Sequence, residues 1–137
     1  MLAQGLVVAS AAIALFLGCL HLVLTFSGPK LKPRDPALQA RMSEVAPVIT
    51  RQTTMWQAWI GFNASHSFGL ILFGAIYAYL TVAHPSVLFR SIFLVTWGGG
   101  LLLGYIILAK LYWFSAPFRW ALLALACYVA GFAVAWV

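Results

Sequence analysis

Three neutral polar side chains, His21, Asn63 and His66, lie in runs of otherwise apolar residues, and they are the groups in this sequence best suited to chemistry. Imidazole donates and accepts hydrogen bonds, titrates near neutral pH and ligates metals. A carboxamide one helical turn away can fix which of its nitrogens carries the proton. Asn63 and His66 belong to the string Trp56-Gln57-Ala58-Trp59-Ile60-Gly61-Phe62-Asn63-Ala64-Ser65-His66-Ser67-Phe68-Gly69. At ~100° per residue, Trp59, Asn63 and His66 form a patch about 60° wide, roughly 130° from the stripe Gly61, Ser65, Gly69. His21 sits one turn from Gly18 and one turn from Thr25. The expected ligand-binding set is therefore His21, Thr25, Trp59, Asn63 and His66.

What is missing narrows the chemistry. Both acids, Asp35 and Glu44, lie outside the apolar runs, so the intramembrane carboxylate of most proton- or sodium-coupled transporters is lacking. There is no HExxH, no glycine-rich phosphate loop, no zinc-spaced Cys or His cluster and no nucleophile triad. No catalytic residue and no metal site is assigned, and the balance leans away from an enzyme. The leading expectation is a membrane module that binds a hydrophobic or amphipathic small molecule, or an accessory subunit of a membrane complex, acting through the His/Asn patch. The alternative is a small b-type haem or other redox protein with His21 and His66 as axial ligands. A second alternative is a small dimeric transporter working through a histidine relay.

The elements that must position these groups follow from composition. Of 137 residues, 64% are hydrophobic and 7% charged, against roughly 25% charged in a soluble domain. With a mean hydropathy of +1.00, lipid is the expected solvent for most of the chain. Four runs are long enough for spanning helices of roughly 20 residues, at about 2–26, 56–83, 87–111 and 117–137. They are separated by Ser27-Gly28-Pro29 and the polar loop 27–55, by His84-Pro85-Ser86 and by Ser115-Ala116-Pro117. One long and two short connections predict an all-α fold, an integral membrane up-and-down four-helix bundle forming a single domain over 1–137. The first run lacks the cationic start of a signal peptide and exceeds its usual apolar length, so it is counted as a span. Cys19 and Cys127 lie in apolar runs and imply no disulfide framework.

Charge placement orients the chain. Lys30, Lys32, Arg34, Arg41 and Arg51 follow the first span and Lys110 and Arg119 follow the third, whereas Arg90 stands alone on the other side. The positive-inside rule puts the 27–55 loop in the cytoplasm and both ends of the sequence outside, in the inner (plasma) membrane if the source is bacterial. The expected partners are the lipid bilayer, a lipid or amphipathic molecule and a second copy or larger complex, not nucleic acid. Within the loop, Asp35-Pro36 reads as an N-cap and first helical residue. Leu38, Met42, Val45 and Ile49 then recur at helical spacing, predicting a short amphipathic interfacial helix ended or bent by Pro47.

Small residues four apart mark contact faces between helices in lipid. They pick out Ser10, Ala14 and Gly18; Gly61, Ser65 and Gly69; Gly100 and Gly104; and Cys127, Gly131 and Ala135. Gly98-Gly99-Gly100 interrupts a span with three glycines, each weakening a helix by roughly 1 kcal/mol relative to alanine. Helix packing, a hinge or close approach of a flat ligand would each account for it.

The string Trp56-x-x-Trp59-x-Gly61-Phe62-Asn63-x-Ser65-His66-Ser67-x-Gly69, preceded by His21-Leu22-x-Leu24-Thr25-Phe26, resembles a family of small four-span bacterial membrane proteins with no assigned activity. The resemblance implies the four-span fold over nearly the whole chain, makes the GFN-x-SH string and the His21 turn the signature, and implies no reaction.

Overall fold

The computed structural model describes all residues from Met1 to Val137. The chain is all-helical, with α1 Leu2–Phe26, α2 Pro36–Glu44, α3 Met55–Ala83, α4 Pro85–Arg90, α5 Ile92–Tyr112 and α6 Ser115–Trp136. Four of these, α1, α3, α5 and α6, are long and apolar enough to cross a membrane. Their sequences are rich in Leu and Ala, and each helix satisfies its own backbone, which is the requirement for a segment surrounded by apolar solvent.

Local chemistry sets the ends. Gly28, at φ +82°, takes the left-handed conformation that stops α1 without a Cβ penalty. α3 begins with a reciprocal capping box: Gln57 N–H donates to Thr54 Oγ1 at 3.2 Å and Thr54 N–H donates to Gln57 Oε1 at 3.1 Å. Thr54-Met55-Trp56-Gln57 is the T-x-x-Q signature of that motif.

Two sequence expectations need correction. The third apolar run does not form one helix over 87–111: it divides at Ser91, which ends α4 and caps α5, its Oγ accepting from Leu94 N–H at 3.3 Å. An N-capping serine in an apolar run thus outweighs the continuity of hydropathy. The loop helix starts as expected, with Asp35 Oδ1 accepting from Ala37 N–H at 2.9 Å and Pro36 in the first turn. It stops at Glu44, however, with Val45 already extended. Pro47 disfavours helix at the residue before it, so Val45 and Ile49 do not continue a stripe, and Ile49 is 91% exposed.

The residues group into two compact units, Met1–Leu17 with Leu70–Val137, and Gly18–Gly69. The first holds a core of Val7, Ala11 and Ala14 from α1, Phe73 and Tyr77 from α3, Leu102 from α5, and Tyr128 and Phe132 from α6. Its rings interlock, Phe73 with Tyr77 at 4.4 Å and Tyr128 with Phe132 at 4.7 Å between centroids. Helices meet where glycine permits. A Cβ on Gly74 would come within 2.6 Å of Ala11 O and Leu15 Cβ, and one on Gly131 within 2.6 Å of Val7 Cγ2 and 3.0 Å of Ala3 O.

The triple glycine resolves into three different environments. Gly98 is buried beneath the Tyr77 and Tyr128 hydroxyls, which a Cβ would strike. Tyr77 donates to Leu94 O at 2.5 Å and Tyr128 to Val95 O at 3.0 Å. Gly99 has only an ordinary contact with Tyr128, and a Cβ at Gly100 meets nothing within 4 Å. Since α5 runs unbroken through all three, the glycines neither form a hinge nor hold open a flat cavity. The other sequence-derived stripes divide similarly. Ser10, Ala14 and Gly18 are buried, whereas Ser65 is exposed and Gly61 and Gly104 have open space where a Cβ would point. Gly69 and Cys127 are half-buried and Ala135 is exposed.

Gly98→Ala should therefore destabilise the protein by about 1–3 kcal/mol through overpacking, while Gly100→Ala should be neutral or stabilising by up to about 1 kcal/mol. Parallel unfolding curves in one detergent check this pair; equal effects at the two positions would refute the assignment.

Candidate functional site

The candidate polar residues all fall in the Gly18–Gly69 unit, carried by the last turns of α1 and the first turns of α3. Residue types place them there: Ser, Thr and Asn in an apolar helix bond back to carbonyls one turn earlier, keeping the helix intact while presenting what remains of each side chain. Thr25 Oγ1 donates to His21 O at 2.8 Å, Ser67 Oγ to Asn63 O at 2.9 Å and Asn63 Nδ2 to Trp59 O at 2.8 Å.

The last of these bonds has a consequence for His21. With the Asn63 amide nitrogen committed to Trp59 O, the amide oxygen faces outward, and it lies 3.0 Å from His21 Nε2. An amide oxygen only accepts, so His21 Nε2 donates, and the neutral ring is held in the Nε2–H tautomer. Its Nδ1 is then a lone-pair acceptor. His66 completes the cluster: the two imidazoles meet edge to face, with centroids 5.2 Å apart and planes at 75°. His21, Asn63 and His66 are each half-buried, neither sealed in a core nor fully open.

Trp59 acts differently from its neighbours on the patch. Its indole Nε1 donates to Leu31 O at 3.0 Å and ties the polar loop to the first turns of α3. The loop's other end closes through Met55 N–H to Val45 O at 2.8 Å. Behind this tether lies a groove of about 260 Å³. Leu24, Phe26, Trp56 and Ile60 give it apolar lining, and Thr25, Lys32 and Gln39 give it polar lining. Sequence reasoning missed Lys32 and Gln39 because an irregular loop has no periodicity to mark which side chains turn inward.

The arrangement limits the cofactor alternatives. Opposed axial ligands of one haem must have the macrocycle between them. Here the two rings touch directly and His21 Nε2 is already bonded to Asn63. The space at Gly98 that would have received a flat ring is filled by tyrosine hydroxyls. The residues present do not fit the bis-histidine haem. Nor does any group of three or more His, Cys, Asp or Glu gather as a metal cage. What the cluster presents is a fixed imidazole acceptor at His21 beside a second imidazole, set in apolar helices.

Replacing Asn63 by Ala should free His21 to exchange tautomers and weaken the α1–α3 contact by about 1 kcal/mol, the scale of interhelical hydrogen bonds in apolar surroundings. Imidazole ¹⁵N chemical shifts in labelled protein would read this directly. The native protein should give the shifts of a single Nε2–H tautomer at His21 and the variant an averaged pair; a native Nδ1–H tautomer would contradict the bonding pattern.

No protein-family model matches the sequence, and comparisons with curated proteins and with solved structures likewise return no match.

Proposed function

We propose that the chain is a multi-pass protein of a bacterial inner membrane that binds an amphipathic or hydrophobic small molecule through the His21–Asn63–His66 cluster, alone or as an accessory subunit of a larger membrane complex. In this reading α1, α3, α5 and α6 form an up-and-down bundle, the 27–55 loop is cytoplasmic and both ends of the sequence lie outside. Support for insertion comes from the surfaces of the long helices, where Phe16, Phe62, Leu72, Phe93, Trp97 and Val134 all project outward, an arrangement that only an apolar solvent favours. Seven of the eight cations fall on one side of that topology, which supports the orientation.

The observation that carries the binding reading is the His21–Asn63 bond with His66 packed against it. Neutral polar groups in an apolar helix are costly unless they are partnered, and two imidazoles are brought together here. Asn63 fixes the tautomer of His21 and leaves its Nδ1 as a lone-pair acceptor. A ligand hydroxyl, amide or protonated amine, attached to an apolar body, matches that acceptor. The cluster holds no carboxylate, so any catalysis there would have to work through the histidines themselves.

Native mass spectrometry of full-length protein purified in mild detergent tests the binding reading. The protein should carry a co-purifying small-molecule adduct, lost in His66→Ala and Asn63→Ala variants that keep their helical circular dichroism. An adduct retained by both variants, or none in the native protein, would overturn it. For the topology, Ser43→Cys and Ser86→Cys introduced separately into a Cys19→Ala, Cys127→Ala background should react oppositely with a membrane-impermeant maleimide on intact cells. Ser86→Cys should label and Ser43→Cys should not; the reverse pattern would invert the orientation.

A further inference from the structure

Beyond the histidine cluster, we infer that the groove behind the Trp59–Leu31 tether is a second, separate site, which seats the headgroup and first acyl carbons of an anionic membrane lipid. Its lining is divided: Leu24, Phe26, Trp56 and Ile60 offer apolar contact, and Lys32 and Gln39 offer donors. That pairing of surfaces matches the junction of a lipid's polar head and its tail.

Size decides between kinds of amphiphile. Sites that engulf a drug-sized ligand usually run from about 300 to 1,000 Å³, and this groove, at about 260 Å³, is smaller. Its occupant must leave most of its apolar part elsewhere. A lipid does so naturally, because its chains stay in the bilayer alongside α1 and α3 while only the head region enters.

Charge decides the sign. The last turn of α1 and the first turn of α3 both border the groove, and their end dipoles, about half a charge each and opposite in sign, largely offset one another. Lys32 is left as the dominant charge. The only ion pair in the chain joins Arg41 to Glu44 at 3.3 Å, and Asp35 is occupied in capping α2. Lys30, Lys32, Arg34 and Arg51 thus have no carboxylate partner, and of the four only Lys32 lines the groove. The loop is held in place by Trp59 and the Thr54–Gln57 box, so Lys32 is presented on a tethered segment.

The test is a lipid titration of the full-length protein in detergent, read by native mass spectrometry, with phosphatidylglycerol and phosphatidylcholine of identical chains. Phosphatidylglycerol should bind more tightly. Lys32→Ala should lower its affinity about fivefold, the effect of one basic side chain at an anionic surface, without changing phosphatidylcholine binding. Lys30→Ala, in the same loop but outside the groove, should change it by less than about twofold. Ile60→Trp, which fills the groove and keeps every charge, should reduce phosphatidylglycerol to the phosphatidylcholine level; should that variant not fold, Gln39→Trp blocks the groove from the loop side. Equal losses from Lys30→Ala and Lys32→Ala, with no effect of the blocking variant, would mean diffuse attraction to the basic loop and overturn the site. Displacement of the lipid by glycerol phosphate at matching concentration would overturn the choice of a lipid over a free phosphate ester.

Discussion

In helices as apolar as these, a buried hydroxyl, amide or imidazole is costly unless it finds a partner within the protein, and nearly all of them do. Much of the internal order follows from that constraint. Thr25, Ser67, Thr81 and Thr96 each bond to a carbonyl one turn back. The Tyr77 and Tyr128 hydroxyls converge on the carbonyls of Leu94 and Val95, which requires their rings to lie across α5, and that in turn requires Gly98. A glycine that weakens its own helix thereby allows two aromatic side chains from other helices to be both buried and satisfied. At roughly 1 kcal/mol, the loss of helix propensity is smaller than the cost of leaving two buried hydroxyls unpaired, about 1–3 kcal/mol each.

The same constraint separates structural from functional polarity. Threonine and serine consume their hydrogen-bonding capacity on their own helix, so they can be tolerated without further purpose. Histidine is harder to satisfy this way, because its two ring nitrogens face opposite directions and a local bond to one leaves the other without a partner. His21 solves half the problem through Asn63, and Asn63 can serve only because Trp59 O takes its amide nitrogen. The chain of commitments runs from Trp59 O to Asn63 to His21 and ends on a ring nitrogen that accepts. Ser10 is the contrasting case: buried on α1, its Oγ has no partner, yet a single small hydroxyl among alanines and valines offers far less recognition surface than paired imidazoles.

How much of this could be read in the sequence depends on the range of the interaction responsible. The extents of α1, α3 and α6 follow from hydropathy within one or two residues, because burial in an apolar solvent is a property of the whole run. The start of α2 was equally plain, since Asp35-Pro36 acts locally. Ser91 is hard to read because one capping residue carries little weight in a window average, and Thr54-Met55-Trp56-Gln57 because the adjacent apolar run dominates the boundary. Contact glycines were the least legible. Gly74, which lies against the α1 backbone, has only Ala78 at four-residue spacing, whereas Gly61 and Gly100 stand in glycine-bearing stripes and a Cβ there would meet nothing within 4 Å. Four-residue spacing identifies a smooth face on a helix, but which smooth face meets a neighbour depends on the rotation of both helices, and that is set by distant residues such as Tyr128. For the site, the patch Trp59, Asn63, His66 was visible as an angular cluster, while the approach of His21 to it is a tertiary fact.

Trp59 shows why the patch should not be treated as one functional group. Helical geometry sets it beside Asn63 and His66, yet its indole N–H is spent on Leu31 O, so its polar end serves the loop and its backbone carbonyl serves the cluster. Through its carbonyl it orients Asn63; through its ring it holds the wall of the groove that Lys32 lines. Loss of the side chain alone would keep the carbonyl, and with it the His21 tautomer, while releasing the loop. The histidine cluster and the groove are thus mechanically joined at one residue but chemically separable, because different atoms of that residue support each.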